Sequence, residues 1–506
     1  MPETSKPRVL VFIVAYNAEK TIADVLYRIP AALADHYDVH VLIIDDSSAD
    51  TTFARSHSIG REQALPFPLT VLTNPVNQGY GGNQKLGYRY AIENGYDFVA
   101  LVHGDGQYAP ECLPALLEPL RTGAADAVFG SRMINPSDAL RGGMPKYKFL
   151  GNRILTAIQN RLLNSGLSEF HSGYRIYSTR ALTAVPFDRN SNDFHFDTEI
   201  IIQFLTAGLR IEELPIPTYY GDEICRVNGI QYAGNVLLAA VKARLQTMGL
   251  FYDRKFDCAA KVESPYTPKL EYDSPHTFAF DRIRPGSKVL DIGCAGGYLG
   301  AHLVEHKHCV VDGIDAWPVA EPALRAFYLQ DLNAGLPRID YKGYDYVAML
   351  DVIEHLSPPE LFMDRLRAAL SENPSAEVMI STANVAFFVT RFMLFLGQFN
   401  YGKRGILDLT HTRLFTFSSF ERLVQEAGFD IVERVGVPGP FPLAMGDTAL
   451  SRALLRVNRW LIPVSRGLFS YQIFLRIKAR PGLEWLLRTA EEHSEKRAEE
   501  INATVC

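Results

Sequence analysis

Short β-branched runs alternate with helical stretches along this chain, and each run ends in a chemically loaded turn. That alternation limits the possible folds more than any other feature. In the first half the runs are Arg8–Val14, Val39–Ile44 and Phe98–Val102; in the second they are Lys288–Ile292, Cys309–Ile314, Tyr344–Met349 and Glu377–Ser381. Runs so short and uniformly apolar are strands buried on both faces, as in parallel sheets covered by helices. Thr21–Leu33 and Gly234–Leu245 have helical spacing, and strand–helix–strand predicts doubly wound α/β sheets. Phe429–Val435 and Tyr471–Ile477 are read as two further strands. At 506 residues the chain is long enough for two or three domains. A fresh strand at Lys288, after a stretch bearing Pro265, Pro268 and Pro275, divides it. The expected organisation is a domain over 1–245, a surface linker over 246–275, a second domain over 276–480 and a charged helix or tail over 481–506.

Lys and Arg total 51 against 57 Asp and Glu, a net charge of −6 that argues against a nucleic-acid-coating protein. The six cysteines form no CxxC pair, so neither a zinc ribbon nor a disulfide framework is indicated. Reduced thiols fit a cytoplasmic protein. The N-terminus has no apolar targeting core, and no run approaches the ~18 apolar residues of a spanning helix. The expected location is cytoplasmic, with peripheral contact at the inner face of the membrane as an option.

Ligands of open α/β sheets bind beyond the C-terminal ends of the strands, so the residues there are the informative ones. They are Ala15–Glu19 after the first run, Asp45-Asp46-Ser47-Ser48 after the second and His103-Gly104-Asp105-Gly106-Gln107 after the third. Gly130-Ser131-Arg132, Ser172-Gly173-Tyr174-Arg175 and Phe196-Asp197-Thr198-Glu199 follow. An acidic residue closing the second strand can accept hydrogen bonds from a base and a ribose. Asp45 and Asp46 are the candidates, and capping of the next helix is the structural alternative.

This ordered set resembles the GT-A glycosyltransferases of family 2, in particular the dolichyl- and polyprenyl-phosphate sugar transferases, over roughly residues 7–245. The resemblance implies a UDP- or GDP-sugar donor, inversion at the anomeric carbon, and a polyprenyl-phosphate or glycan acceptor. It places an Asp-x-Asp where this chain has His103 and Asp105, with Gln107 two residues on, as the set holding Mg²⁺ or Mn²⁺. His is a poor ligand for Mg²⁺ and a fair one for Mn²⁺. Arg132 and Arg175 stand at diphosphate or acceptor-phosphate positions, and Arg226 on a loop is either a further phosphate contact or an ordinary surface residue. Asp197 is the family-like general base for a hydroxyl acceptor, whereas a phosphate acceptor needs none. Glu169 replaces an Asp that is usual in the polyprenyl branch.

In the second half Asp291-Ile-Gly-Cys-Ala-Gly-Gly297 joins a strand to a helix, and Asp315 closes the next strand. The acid spacing also suits dinucleotide-binding units, but their GxGxxG is absent. With Tyr344–Leu356 and Asp408–Thr416, the pattern resembles class I S-adenosylmethionine-dependent methyltransferases over roughly 276–480. The resemblance implies S-adenosylmethionine as cofactor, with Asp291, Gly293 and Gly296 at its amino-acid end, Asp315 at the ribose and Asp331 near the adenine. Asp351 begins the segment closing the pocket. His355 and His411 are candidate bases or structural histidines.

Two segments remain. Ala386–Phe399 has an apolar face able to cover an acceptor site or touch lipid. Residues 448–480 carry seven Arg and Lys and no acid. Such a basic amphipathic stretch suits an anionic membrane surface, but a helix packed on the sheet before its last strand is the favoured reading. The expected whole is a bifunctional enzyme, transferring a sugar and a methyl group to related acceptors. The alternative is a GT-A half that binds nucleotide sugar without catalysis, beside an active methyltransferase.

Overall fold

The computed structural model describes residues 6–62, 65–219, 228–249, 251–258, 270, 272–318, 323–483, 485–491 and 493–494. The chain divides into two compact units, Met1–Gln246 with Asp253–Val262, and Thr247–Tyr252 with Glu263–Cys506. Arg226, part of the expected linker and much of the expected tail lie outside the described residues.

The first unit is built on seven strands: β1 (Arg8–Ala15), β2 (Asp38–Asp45), β3 (Leu69–Thr73), β4 (Phe98–His103), β5 (Ala127–Ser131), β6 (Arg175–Ser178) and β7 (Ile211–Pro215). Their order is β3-β2-β1-β4-β6-β5-β7, parallel except for β6, which runs antiparallel to both neighbours. Val9 to Ile13 of β1 are fully buried, and apolar clusters cover both faces of the sheet. The register sets Ala15 beside Asp45 and Val14 beside His103, so the expected site residues share one edge.

The helix expected over Thr21–Leu33 is two short ones, Ile22–Tyr27 and Leu33–His36. Pro30 between them lacks an amide proton and disfavours helical backbone at Ile29. The part of the expected linker that can be described is not a free tether. Phe256 is buried against Ile202, Ala239 and Ala243, and Lys255 Nζ lies 2.6 Å from Glu199.

The second unit has β8 (Lys288–Ile292), β9 (Val310–Asp315), β10 (Ala326–Leu329), β11 (Tyr346–Leu350), β12 (Glu377–Ala383), β13 (Phe429–Val437) and β14 (Gln472–Ala479). The order is β10-β9-β8-β11-β12-β14-β13, with β14 antiparallel to β12 and β13. Apolar clusters again cover both faces. The basic stretch 448–480 does place a helix, Ala449–Leu461, ahead of the last strand. Among the described residues no helix is long and apolar enough to cross a membrane.

Candidate active sites

At the C-terminal edge of the first sheet His103 ends β4. Its ring sits 4.9 Å from that of Tyr108 and 5.5 Å from that of Tyr80. The space is so narrow that a Cβ on Gly173 would fall 2.6 Å from the imidazole, which is why glycine stands there. Tyr80 donates its hydroxyl proton to Asp197 Oδ2 at 2.9 Å, and its oxygen lies 3.2 Å from His103 Nε2. Since that proton goes to the carboxylate, the imidazole must be the donor in the second bond. His103 is therefore the Nε2–H tautomer, with a bare lone pair on Nδ1. Burial lowers its pKa, keeping the ring neutral.

Asp197 itself is buried. Besides Tyr80 it accepts Gln84 Nε2 at 3.2 Å and stands 3.8 Å from Arg175. The expected general base is thus an internal anchor, joined to the rim through Tyr80 and His103. Arg175 also departs from expectation. It is 1% exposed in mid-sheet, and its guanidinium donates to the carbonyls of Ser172, Asp197 and Phe170 at 2.7–2.8 Å. It braces the Asp197 segment and does not face a phosphate. Arg132 pairs closely with buried Glu169, which also takes Asn152 Nδ2 at 2.7 Å. With 11% of its side chain exposed, Arg132 too is largely engaged internally.

Asp45 and Asp46 are brought to the edge as expected, but both are buried. Asp45 accepts the hydroxyls of Ser48 and Thr73. Asp46 accepts Asn74 Nδ2 and the amides of Gln78 and Gly79 at 2.7–3.0 Å. Both carboxylates shape the loops after β2 and β3. Asp105 is exposed, its Oδ1 accepting the Gln107 amide at 3.1 Å. No cluster of three or more His, Cys, Asp or Glu side chains able to hold a metal exists among the described residues. Asp105 and Nδ1 of His103 still fit a divalent cation of the kind completed by substrate phosphates and water. Tyr80 and Gln84 were not singled out from the sequence; the glycines flanking Tyr80 were the available signal of close packing.

In the second unit Gly293 has φ +75°, and a Cβ there would meet Val352 at 2.3 Å. Gly296 is likewise closed, by the Tyr298 ring. Asp315 accepts the amides of Ala295 at 2.7 Å and Trp317 at 3.0 Å, which fixes its carboxylate beside the turn. Burial, and then the charge of Asp315, push Asp291 up to about 7. Two buried carboxylates facing a glycine-lined turn, without a cation, fit a positively charged cofactor such as S-adenosylmethionine. Asp331 is exposed after β10, held by the Asn333 amide at 2.9 Å.

Glu354, also not singled out from the sequence, organises the acceptor side. Its carbonyl accepts the amides of Thr412 and Arg413, drawing His411 to 4.9 Å from His355. Each histidine places Nδ1 against a carbonyl, Ile406 for His411 and Thr410 for His355. That leaves both Nε2 atoms as acceptors. Burial lowers His411, and burial followed by Asp351 pushes Glu354 up to about 8.

Comparison with known proteins agrees with this division. Residues 10–185 match the family model for glycosyl transferase family 2, and 267–434 match that for a methyltransferase domain. The low-salt glycan biosynthesis hexosyltransferase of Haloferax volcanii is 32% identical over 43% of this chain and 49% of its own length, so the chain spans about half of that relative. The undecaprenyl-phosphate mannosyltransferase of Micrococcus luteus is 30% identical over 41% of this chain and 82% of its own. The ubiquinone biosynthesis O-methyltransferase of Paracidovorax citrulli is 30% identical over 24% of this chain and 56% of its own. With paired carboxylates at the ligand edge of each sheet and these matches, the chain belongs to glycosyl transferase family 2 through its first unit and carries a methyltransferase domain in its second.

Proposed function

We propose that the chain is a bifunctional enzyme. Its first unit transfers a sugar from a UDP- or GDP-sugar, with inversion, to a polyprenyl phosphate, and its second transfers a methyl group to a related glycan or glycolipid acceptor. The observation carrying the first part is the engagement of Asp197. A hydroxyl acceptor needs a general base, and the residue expected to supply it is buried and bonded to Tyr80 and Gln84. A phosphate acceptor is already anionic and needs none. The relative from Micrococcus luteus is named for transfer to undecaprenyl phosphate, which supports the same choice.

A divalent cation, when bound, supplies positive charge to the departing diphosphate. Asp105 and Nδ1 of His103 would hold it, while Tyr80 and Asp197 keep the imidazole oriented. Loops fixed by Asp45 and Asp46 shape the nucleotide side. In the second unit S-adenosylmethionine, when bound, supplies an electrophilic methyl group. Asp291 and the Gly293 turn would receive its amino-acid end and Asp315 its ribose, with Asp331 near the adenine. Nε2 of His411 stands ready to take a proton from a hydroxyl acceptor. These residues chiefly position the partners and exclude water.

The test is incubation of the full chain with a panel of nucleotide sugars and polyprenyl phosphate, followed by mass spectrometry, then addition of S-adenosylmethionine. A lipid-linked hexose, with a further methyl mass in the second step, is expected. Nucleotide-sugar binding by calorimetry without any turnover would replace this reading with that of a binding scaffold.

A further inference from the structure

In a water-soluble protein an amphipathic helix buries its apolar stripe and shows its polar face. Helix Ala449–Leu461 does the reverse. Its buried residues are Ser451 and Asn458. Asn458 accepts the Gly439 amide at 2.9 Å and donates to the Phe469 carbonyl at 2.8 Å, and Ser451 donates to the Gly446 carbonyl at 2.7 Å. Polar bonds thus fix the helix with three bulky apolar side chains outward, Leu454, Leu455 and Leu461 being half-buried: Trp460 is 74% exposed, and Leu450 and Val457 are exposed beside it. Helical geometry sets these three on one flank and Arg452, Arg456 and Arg459 on the next. Arg459 is tied to Asp273 at 2.6 Å and Arg452 makes a long, exposed contact to Asp447 at 3.5 Å, while both Arg452 and Arg456 stand open to solvent.

A second element has the same character. Helix Phe388–Phe395 buries Thr390 and Met393, and leaves Phe392, Leu394 and Phe395 exposed, Phe395 to 85%. From Asn384 to Leu407 the chain has three basic residues and no acidic one, and the same absence of acids holds from Thr448 to Arg480. The two helices are neighbours, because the Phe388 ring packs 6.1 Å from that of Phe469, the residue whose carbonyl receives Asn458. Both flank the ligand edge of their sheet. Helix Phe388–Phe395 follows shortly after the end of β12, and Gln472 at the start of β14 donates to Asp351 at 2.8 Å.

We propose that this face of the methyltransferase unit docks on an anionic lipid bilayer, seating Trp460, Val457, Phe392 and Phe395 among the acyl chains and Arg452 and Arg456 at the headgroups. Apolar side chains flanked by arginines, without a single acid in either segment, complement such a surface and little else. The methyl acceptor would then be presented from the membrane, next to the cofactor edge. That consequence rests on the proposed methyl transfer; the docking does not.

The experiment is sedimentation of the full chain with phosphatidylcholine vesicles, with and without phosphatidylglycerol, at low and high salt and without substrate or cofactor. Pelleting is expected with phosphatidylglycerol at low salt, falling as salt rises. Arg452→Ser with Arg456→Ser should weaken partitioning by about 25-fold, at roughly fivefold for each basic residue near the surface. Trp460→Ser with Phe395→Ser should weaken it without changing the melting temperature, both sites being exposed. S-adenosylmethionine binding should persist in all variants, which separates a failure of docking from a failure of the methyl-transfer reading. No pelleting at low salt, or variants that pellet like the parent, would overturn the proposal. A lipid-free dimer dissolved by Trp460→Ser and Phe395→Ser would also overturn it, assigning the face to a second copy of the chain.

Discussion

Tyr80→Phe tests whether the hydroxyl joins His103 to Asp197 as the geometry requires. The ring keeps its packing, 5.2 Å from Phe194 and 5.5 Å from His103, so only the oxygen is lost. The bond to Asp197 at 2.9 Å is to a buried carboxylate, and removing such a partner costs about 1.5–3 kcal/mol. The 3.2 Å bond from the neutral imidazole adds up to about 1 kcal/mol. Gln84 and Arg175 continue to satisfy the carboxylate and offset part of the loss. A net destabilisation near 2 kcal/mol should lower the melting temperature of a unit this size by about 4–8 °C. Scanning calorimetry of the full chain should show two transitions, of which only that of the first unit moves. Loss of the partner that orients a metal-ligating histidine commonly weakens metal binding by about 10–100-fold. Mn²⁺ binding followed by paramagnetic resonance gives that second readout without any need for turnover. An unmoved transition together with unchanged Mn²⁺ affinity would refute the relay.

Asp315→Ala should weaken S-adenosylmethionine binding by ~1.5–3 kcal/mol, and an unchanged dissociation constant in a folded variant would remove its ribose role. Asp291 has a folded pKa near 7 against about 3.9 unfolded, so the fold binds its proton more tightly. Stability of the cofactor-free second unit should therefore decline as pH rises from about 4 to about 7, by up to ~4 kcal/mol. Asp291→Asn should flatten this profile, and a parent profile already flat would sink the assignment. Asp105→Asn should abolish sugar transfer and spare methyl transfer, measured on the same preparation; retained sugar transfer would exclude Asp105 from the machinery. His103→Asp should shift metal preference from Mn²⁺ towards Mg²⁺ if Nδ1 is a ligand, and leave it unmoved if the ring only packs there.

The strands that run apolar throughout were legible from sequence because burial on both faces leaves no alternation to confuse them. β1, β2, β4, β8, β9, β11 and β12 fall within a residue or two of the expected runs. β3, β5, β6, β7 and β10 were missed: half-exposed Leu69–Thr73 and Ile211–Pro215 and the four-residue Ala326–Leu329 lie at sheet edges, Ala127–Ser131 runs into Gly130-Ser131 after three apolar residues, and Arg175 opens a strand whose polar first residue conceals it. The positions of the site residues followed from strand ends, but their roles did not. No spacing rule tells whether an arginine beyond a strand reaches outward to phosphate, or turns back to three carbonyls as Arg175 does. The relay through Tyr80 joins residues 80, 103 and 197, a tertiary relation invisible along the chain.

The two units solve opposite electrostatic problems with similar parts. In the first, each buried carboxylate has a partner inside the protein: Glu169 has Arg132, Asp197 has Tyr80, Gln84 and Arg175, and Asp46 has two amides and Asn74. Of Asp45, Asp46, Asp105, Glu169 and Asp197, only Asp105 is exposed. Arg132 and Arg175 offset the charges of Glu169 and Asp197, which lowers the negative charge that an incoming diphosphate and an anionic acceptor must meet. In the second unit Asp291 and Glu354 are buried without a cation, and their pKa values rise to about 7 and about 8. Burying carboxylates in that way costs folding free energy, which a ligand carrying positive charge on sulfur and amine would offset on binding. The arrangement predicts a second unit markedly stabilised by S-adenosylmethionine, with the gain larger at pH 8 than at pH 6, because the carboxylates are ionised at the higher pH. A melting shift independent of pH would mean that Asp291 and Glu354 do not sense the bound cation.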